Sequence, residues 1–229
     1  MGATTIVLAR HGRTPWHHGN RYAGSTDIGL DDEGERQARS LAVWARHNRP
    51  DALYSSTMLR ARQTMEPVAA ALGMTPGIDH RLREIHFGQG EGHTLDELRV
   101  EHPEAVEGFL RDAAANPLPG GEDPHEVARR GAAAVDELVA RHPGETVLVI
   151  CHSTLIRLVV CHYTGMPLRG YRTVLKQPAP TSLTRLVHQG AGVMLDGYNI
   201  AAVVSADDLA AGTAAQRTPS EGSTGGQAA

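Results

Sequence analysis

The sequence predicts an α/β fold: a largely parallel central sheet covered on both faces by helices, a three-layer αβα arrangement. Three observations carry this. Short apolar runs of strand length recur at residues 6–9, 52–55 and 146–151. Longer segments with helical periodicity separate them, and strands that alternate with helices form parallel sheets through crossover connections. The chain has 229 residues, 41% of them hydrophobic and 21% charged, which suits one globular domain with a sizeable core.

Each element has a local reason. Ile6-Val7-Leu8-Ala9 is short, apolar and ended by polar residues, as a buried strand is. From residue 31 to about 47, Ala38, Leu41, Ala42 and Ala45 fall on one helical face, and Asp31 or Asp32 can cap the first turn. Pro50 breaks the chain before the strand at 52–55. Residues 58–72 are helical by pattern, with Pro67 expected to begin or kink a turn. Residues 75–80 read as a further strand. Residues 94–102, 103 to about 114 and 124–142 read as helices, and Gly120-Gly121 marks the loop before the last of these. The strand at 146–151 leads into a helix at 154–164, and 183–188 pairs with 193–198 as an edge hairpin. From about Asp207 the sequence turns to Ala, Gly, Ser, Thr and Gln, too little apolar surface to offset the entropy of ordering. One domain over 1–206, with a small helical cap at about 90–122, and a disordered tail at 207–229 are therefore expected.

The bulk properties exclude several function classes. A net charge of −4 gives no general attraction for nucleic acid or anionic lipid. No apolar run is long enough to span a membrane. The first residues lack a basic stretch followed by an apolar core, so no secretory signal is expected and a cytoplasmic location is. Cys151 and Cys161 make no disulfide framework and read as small buried hydrophobes. No cluster has metal-ligand spacing, so neither metal nor cofactor is expected.

The chemistry concentrates at strand ends, where open α/β sheets bind ligands. Arg10-His11-Gly12 leaves the first strand, and His152 follows the strand at 146–151. Between them lies an arginine-rich turn, Ser55-Ser56-Thr57-Met58-Leu59-Arg60-Ala61-Arg62-Gln63-Thr64. An imidazole attacks an anionic centre only where a neighbouring cation neutralises it, so two histidines and several arginines point to chemistry on phosphate.

Five segments in order make the chain resemble the histidine phosphatase superfamily, the phosphoglycerate mutase-like proteins, over about residues 5–200. They are Leu8-Ala9-Arg10-His11-Gly12-Arg13-Thr14-Pro15-Trp16-His17, the stretch from Gly24 to Gly34, the arginine turn, Leu82-Arg83-Glu84-Ile85-His86-Phe87-Gly88-Gln89-Gly90-Glu91-Gly92, and Val149-Ile150-Cys151-His152-Ser153. The resemblance implies a phosphoglycerate mutase-like fold and a phosphohistidine formed on His11. It implies Arg10 and Arg60 as forked donors to the phosphate oxygens and His152 as a further donor, in the imidazolium form. It implies Glu84 as general acid and then general base. The arginines and His152 would replace a divalent cation.

Departures from the family pattern bear on the substrate. Arg13 stands where relatives carry Glu or Gln. His17 replaces an Asn that contacts phosphate, Ala23 precedes Gly24 in place of a hydroxyl residue, and Ser153 replaces a glycine. His17, Gly24 and Ser153 are the expected substrate-binding residues. His86, His93, Arg62 and Arg157 are open between site and structural roles, and the histidines at 18, 47, 80, 102, 125, 142, 162 and 188 are expected to be solvated or locally bonded.

Family mutases carry a basic insertion after the acid segment. Here residues 101–116 hold Glu101, Glu104, Glu107 and Asp112 against Arg111 alone, which would repel a second phosphate. Hydrolysis of a small phosphorylated metabolite is therefore favoured. The alternatives are cofactor-dependent mutase-type phosphotransfer and a catalytically silent protein that binds a phosphorylated ligand. The resemblance leaves a homodimer open.

Overall fold

The computed structural model describes residues 2–202. A six-stranded sheet runs in the order β3 (Gly77–Ile78), β2 (Ala52–Ser55), β4 (Thr146–Cys151), β1 (Thr4–Arg10), β5 (Leu183–Gln189), β6 (Gly192–Ile200). The first four are mutually parallel, and β5 and β6 close one edge antiparallel. Helices α1 (Asp32–Asn48) and α2 (Leu59–Leu72) cover one face. Helices α5 (Pro124–Arg141) and α6 (Ser153–Thr164) cover the other. The expected largely parallel αβα fold holds.

The two-residue period of a strand sorts side chains between these layers. Ile6 and Leu8 of β1 and Val147 and Val149 of β4 join Val127, Val135, Leu155 and Val159 in one core. Val7 and Ala9 of β1 and Leu148 and Ile150 of β4 join Leu41, Ala45, Ala61 and Met65 in the other. A strand buried on both faces needs apolar residues throughout, which is why β4 reads as an unbroken apolar run.

Boundaries differ from expectation where side chains mislead. β1 extends outward to Thr4 and inward to Arg10, because strand pairing uses the backbone and Arg10 still pairs with Cys151. Residues 75–80 contribute only Gly77–Ile78. Pro67 lies inside α2, which runs on to Leu72. The hairpin turns at Gly190, whose positive φ of 59° suits glycine. In the segment proposed as a cap, α3 (Leu95–Glu101) and α4 (Pro103–Arg111) bury Leu98, Val106 and Phe109 in the first core. The 207–229 tail lies outside the described residues.

Candidate active site

β1 and β4 are adjacent and parallel, so their carboxyl ends bring His11 and His152 together despite their distance in sequence. Their rings lie 5.2 Å apart, and both are buried. The His11 N–H donates to the Cys151 carbonyl at 3.0 Å, tying the two strand ends. The turn after β1 is braced from α2: Gly12 N–H donates to Thr64 Oγ1 at 2.9 Å, and Thr64 Oγ1 donates to the Arg60 carbonyl. A Cβ on Gly12 would come within 2.6 Å of the Gly34 carbonyl oxygen, so the turn can lie against α1 only with glycine there.

The His11 Nδ1–H donates to the Gly12 carbonyl at 2.7 Å, which leaves the lone pair on Nε2. Burial, then the charge of Arg60, lowers its pKa well below the ordinary imidazole value. The ring is therefore neutral and nucleophilic at neutral pH. His152 caps α6, and its Nε2 shares a 2.7 Å hydrogen bond with Ser56 Oγ. Burial and then Arg60 and Arg10 lower its pKa as well. The imidazolium expected from the resemblance thus does not hold for the protein alone; a bound anion is needed to favour it.

Arg10 donates through Nη1 to the Pro178 carbonyl at 2.7 Å and through Nη2 to His17 Nε2 at 2.6 Å. Burial lowers its pKa to about 10, which keeps it charged. Arg60 is fully buried and grips the loop after Tyr22, donating to the carbonyls of Gly24 at 2.7 Å, Thr26 at 3.0 Å and Ala23 at 3.2 Å. Arg10 Nε, Arg60 Nε, His152 Nδ1 and Ser153 Oγ are buried without a protein partner. Buried polar atoms are normally paired, so leftover donors at one strand-end site suit an acceptor-rich ligand.

Glu84 lies at the start of α6. Its Oε1 accepts from Ile85 N–H and Leu155 N–H at 3.0 Å each, and its Oε2 from Thr154 N–H at 2.9 Å. Ser153 occupies the first turn beside it. His17 accepts from Arg10 at Nε2 rather than donating there, and burial followed by Arg10 lowers its pKa to about 4. Gly24 spends its N–H on Glu91 and its carbonyl on Arg60, and a Cβ there would collide with Glu91 and the Ile85 carbonyl. Arg62 is exposed, whereas Arg157 is buried. His86 Nδ1 meets Ser25 Oγ at 2.7 Å, and His93 Nδ1 meets the Glu91 carbonyl at 3.0 Å.

Sequence reasoning assigned nothing to Glu91, Ser56 or Thr64. Glu91 accepts from the N–H groups of Gly24, Ser25, Thr26 and Phe87 and from Thr26 Oγ1, and so shapes the loop that grips Arg60. Burial pushes its pKa up, but those donors hold it below the ordinary carboxylate value. A carboxylate among glycines, Gly90-Glu91-Gly92, was the available signal. Among the described residues no His, Cys, Asp and Glu cluster could hold a metal ion, and no helix is long and apolar enough to cross a membrane.

The solved mycobacterial glucosyl-3-phosphoglycerate phosphatase is similar over 87% of this chain and all of that one, at 28% identity and a TM-score of 0.80. A probable phosphoglycerate mutase of Yersinia pestis is 29% identical over 195 residues, 85% of this chain and 90% of that protein. A bifunctional protein of Mycobacterium tuberculosis is 35% identical over 158 residues, 69% of this chain; the chain spans only 43% of that relative's length. The sequence pattern of the histidine phosphatase superfamily (branch 1) matches residues 6–201, and the chain belongs to that superfamily.

Proposed function

We propose that this chain is a metal-independent phosphatase that hydrolyses a small-molecule phosphomonoester through a phosphohistidine on His11. One observation carries the reading: His11 and His152 converge at 5.2 Å with Arg10 and Arg60 beside them, and the Nδ1–H bond of His11 leaves Nε2 to attack.

In the first half-reaction the Nε2 lone pair bonds to phosphorus as the ester P–O bond breaks. The departing oxygen takes a proton from Glu84. Oε2 accepts one N–H and Oε1 two, so Oε2 is the oxygen with room for that proton. In the second half-reaction Glu84 removes a proton from water, the water oxygen attacks phosphorus, and the P–N bond breaks to return neutral His11. Arg10, Arg60 and His152 stabilise the charge on the non-bridging oxygens, the main source of catalysis in phosphoryl transfer. His17 orients Arg10, while Gly24 and Ser153 line the phosphate side. Residues 1–206 form the catalytic domain with 90–122 as its cap, and the reaction belongs in the cytoplasm.

The similarity to a probable mutase keeps phosphotransfer between isomers as a second reading. Release of aryl alcohol from a chromogenic aryl phosphate, with chelator present, tests the first. The wild-type chain turns over and His11→Ala does not; turnover that survives His11→Ala contradicts the proposal. Exchange between phosphoglycerate isomers that depends on a bisphosphate primer would favour the second.

A further inference from the structure

His152 donates to a ligand only through a ring nitrogen that carries a proton. A neutral imidazole has one N–H and one lone pair, so the nitrogen that its surroundings make an acceptor decides what the other can do. Ser56 is placed to make that choice. β2 and β4 are adjacent and parallel, with Ser55 opposite Ile150, so the turn after β2 emerges beside the turn after β4. Ser56 N–H donates to the Ile150 carbonyl at 3.0 Å, and Ser56 Oγ lies 2.7 Å from His152 Nε2. Both residues are fully buried.

The direction of that short bond follows from what else Ser56 Oγ touches. It accepts from Met58 N–H at 3.3 Å, and among the described residues its own hydrogen has one acceptor, His152 Nε2. A buried hydroxyl hydrogen left unpaired is costly, so Ser56 donates and Nε2 accepts. His152 then carries its proton on Nδ1. That nitrogen is buried without a protein partner, as are Arg10 Nε and Arg60 Nε. The reverse tautomer would strand the Ser56 hydrogen and put a lone pair, which repels phosphate oxygens, on the unpartnered nitrogen. An imidazolium would also donate from Nδ1, but the charges around the ring oppose it. Arg10 from β1, Arg60 from α2 and Arg130 from α5 all act on it, and His11 lies 5.2 Å away. Glu84 meanwhile spends its carboxylate on the N–H groups of Ile85, Thr154 and Leu155.

Resting on the phosphatase reading for where the phosphate lies, we infer that Ser56 is a positioning residue: its hydroxyl holds His152 in the Nδ1–H tautomer, so that the neutral ring donates to a non-bridging phosphate oxygen. Phosphate binding then needs no proton uptake by His152.

The first test needs no ligand. The full-length wild-type chain, isotopically labelled at its histidine nitrogens, is examined by two-bond proton–nitrogen correlation at about pH 7, where an ordinary imidazole is mostly neutral. His152, identified by the signal missing from His152→Gln, should show a protonated Nδ1 and a bare Nε2. A bare Nδ1, or two protonated nitrogens, overturns the inference without reference to turnover. Kinetics supply the second test. Ser56→Ala should lower kcat/KM for an aryl phosphate about tenfold or more near pH 7.5, the worth of one hydrogen bond to an anion, and Ser56→Thr should recover most of it. Comparison with wild type at the same pH cancels the ionisation of the substrate. The loss should then shrink towards about pH 5.5, where an imidazolium supplies the donor whatever the tautomer. A hydroxyl that merely packs would give the same loss at every pH, and that result overturns the inference while leaving the phosphatase reading intact. Absence of aryl phosphate turnover by the wild-type chain overturns the phosphatase reading instead, and the ligand-free spectrum still decides the tautomer.

Discussion

The two sides of the site are built by different physics. On the phosphate side nearly every polar group is fixed by backbone: His11 by the Gly12 carbonyl, Arg60 by three loop carbonyls, Arg10 by the Pro178 carbonyl. Beyond it Arg157 and Arg172 rest on aromatic rings, with longer hydrogen bonds of 3.2–3.4 Å. The first side is a preorganised frame for one tetrahedral anion. The second is held by weaker, less directional contacts.

The contrast can be broken by substitution. Arg60→Met should cost about 10²–10³-fold in kcat/KM, the scale of losing one transition-state donor, and should do so alike for every ester. Arg157→Met, which removes two long hydrogen bonds and a ring contact, should cost about tenfold or less. Equal losses in the two variants would erase the distinction. Glu84→Gln should follow in size: about 10²-fold for an alkyl ester and only a few-fold for an aryl ester, whose leaving group needs little protonation. Equal losses on both would remove Glu84 as the acid.

The smallest expected effect is on stability. His17 has an ordinary pKa of 6.5 lowered to about 4 in the fold. Between those values the unfolded chain binds more protons than the folded one, so stability is full above about pH 6.5 and falls as pH drops towards 4. The lowered pKa values of His11 and His152 act in the same direction. His17→Asn should therefore lose less stability than wild type between pH 7 and pH 5, followed by urea unfolding. Parallel curves would show that His17 does not carry this acid sensitivity.

The same division explains what could be read from sequence. Strands β1 and β4 were legible because burial on both faces demands unbroken apolar runs, and the Arg10-His11-Gly12 and His152 turns because adjacent parallel strands leave few places for such residues. Ser56 and Thr64 were not, since a hydroxyl that props a histidine or a turn looks like any other Ser or Thr before or within a helix. Glu91 was visible but mute: four of its donors come from the loop at Gly24, Ser25 and Thr26, whose path only the fold defines. Arg157 was left open because a charge within an apolar helix reads alike as a buried structural cation or a site residue, and the fold buries it over the Tyr171 ring. Of the acids in residues 101–116, Glu107 pairs with Arg99, Glu101 and Glu104 are exposed, and Asp112 accepts from the N–H groups of Ala114 and Ala115.

Everything chemical in this account passes through one bond between phosphorus and His11 Nε2. Mixing the wild-type chain with substrate, quenching in base within milliseconds and mapping peptides by mass spectrometry should find a single base-stable, acid-labile phosphoryl group on the peptide containing His11. Turnover proceeding at full rate with no such adduct, or with the phosphoryl group on another side chain, would contradict it.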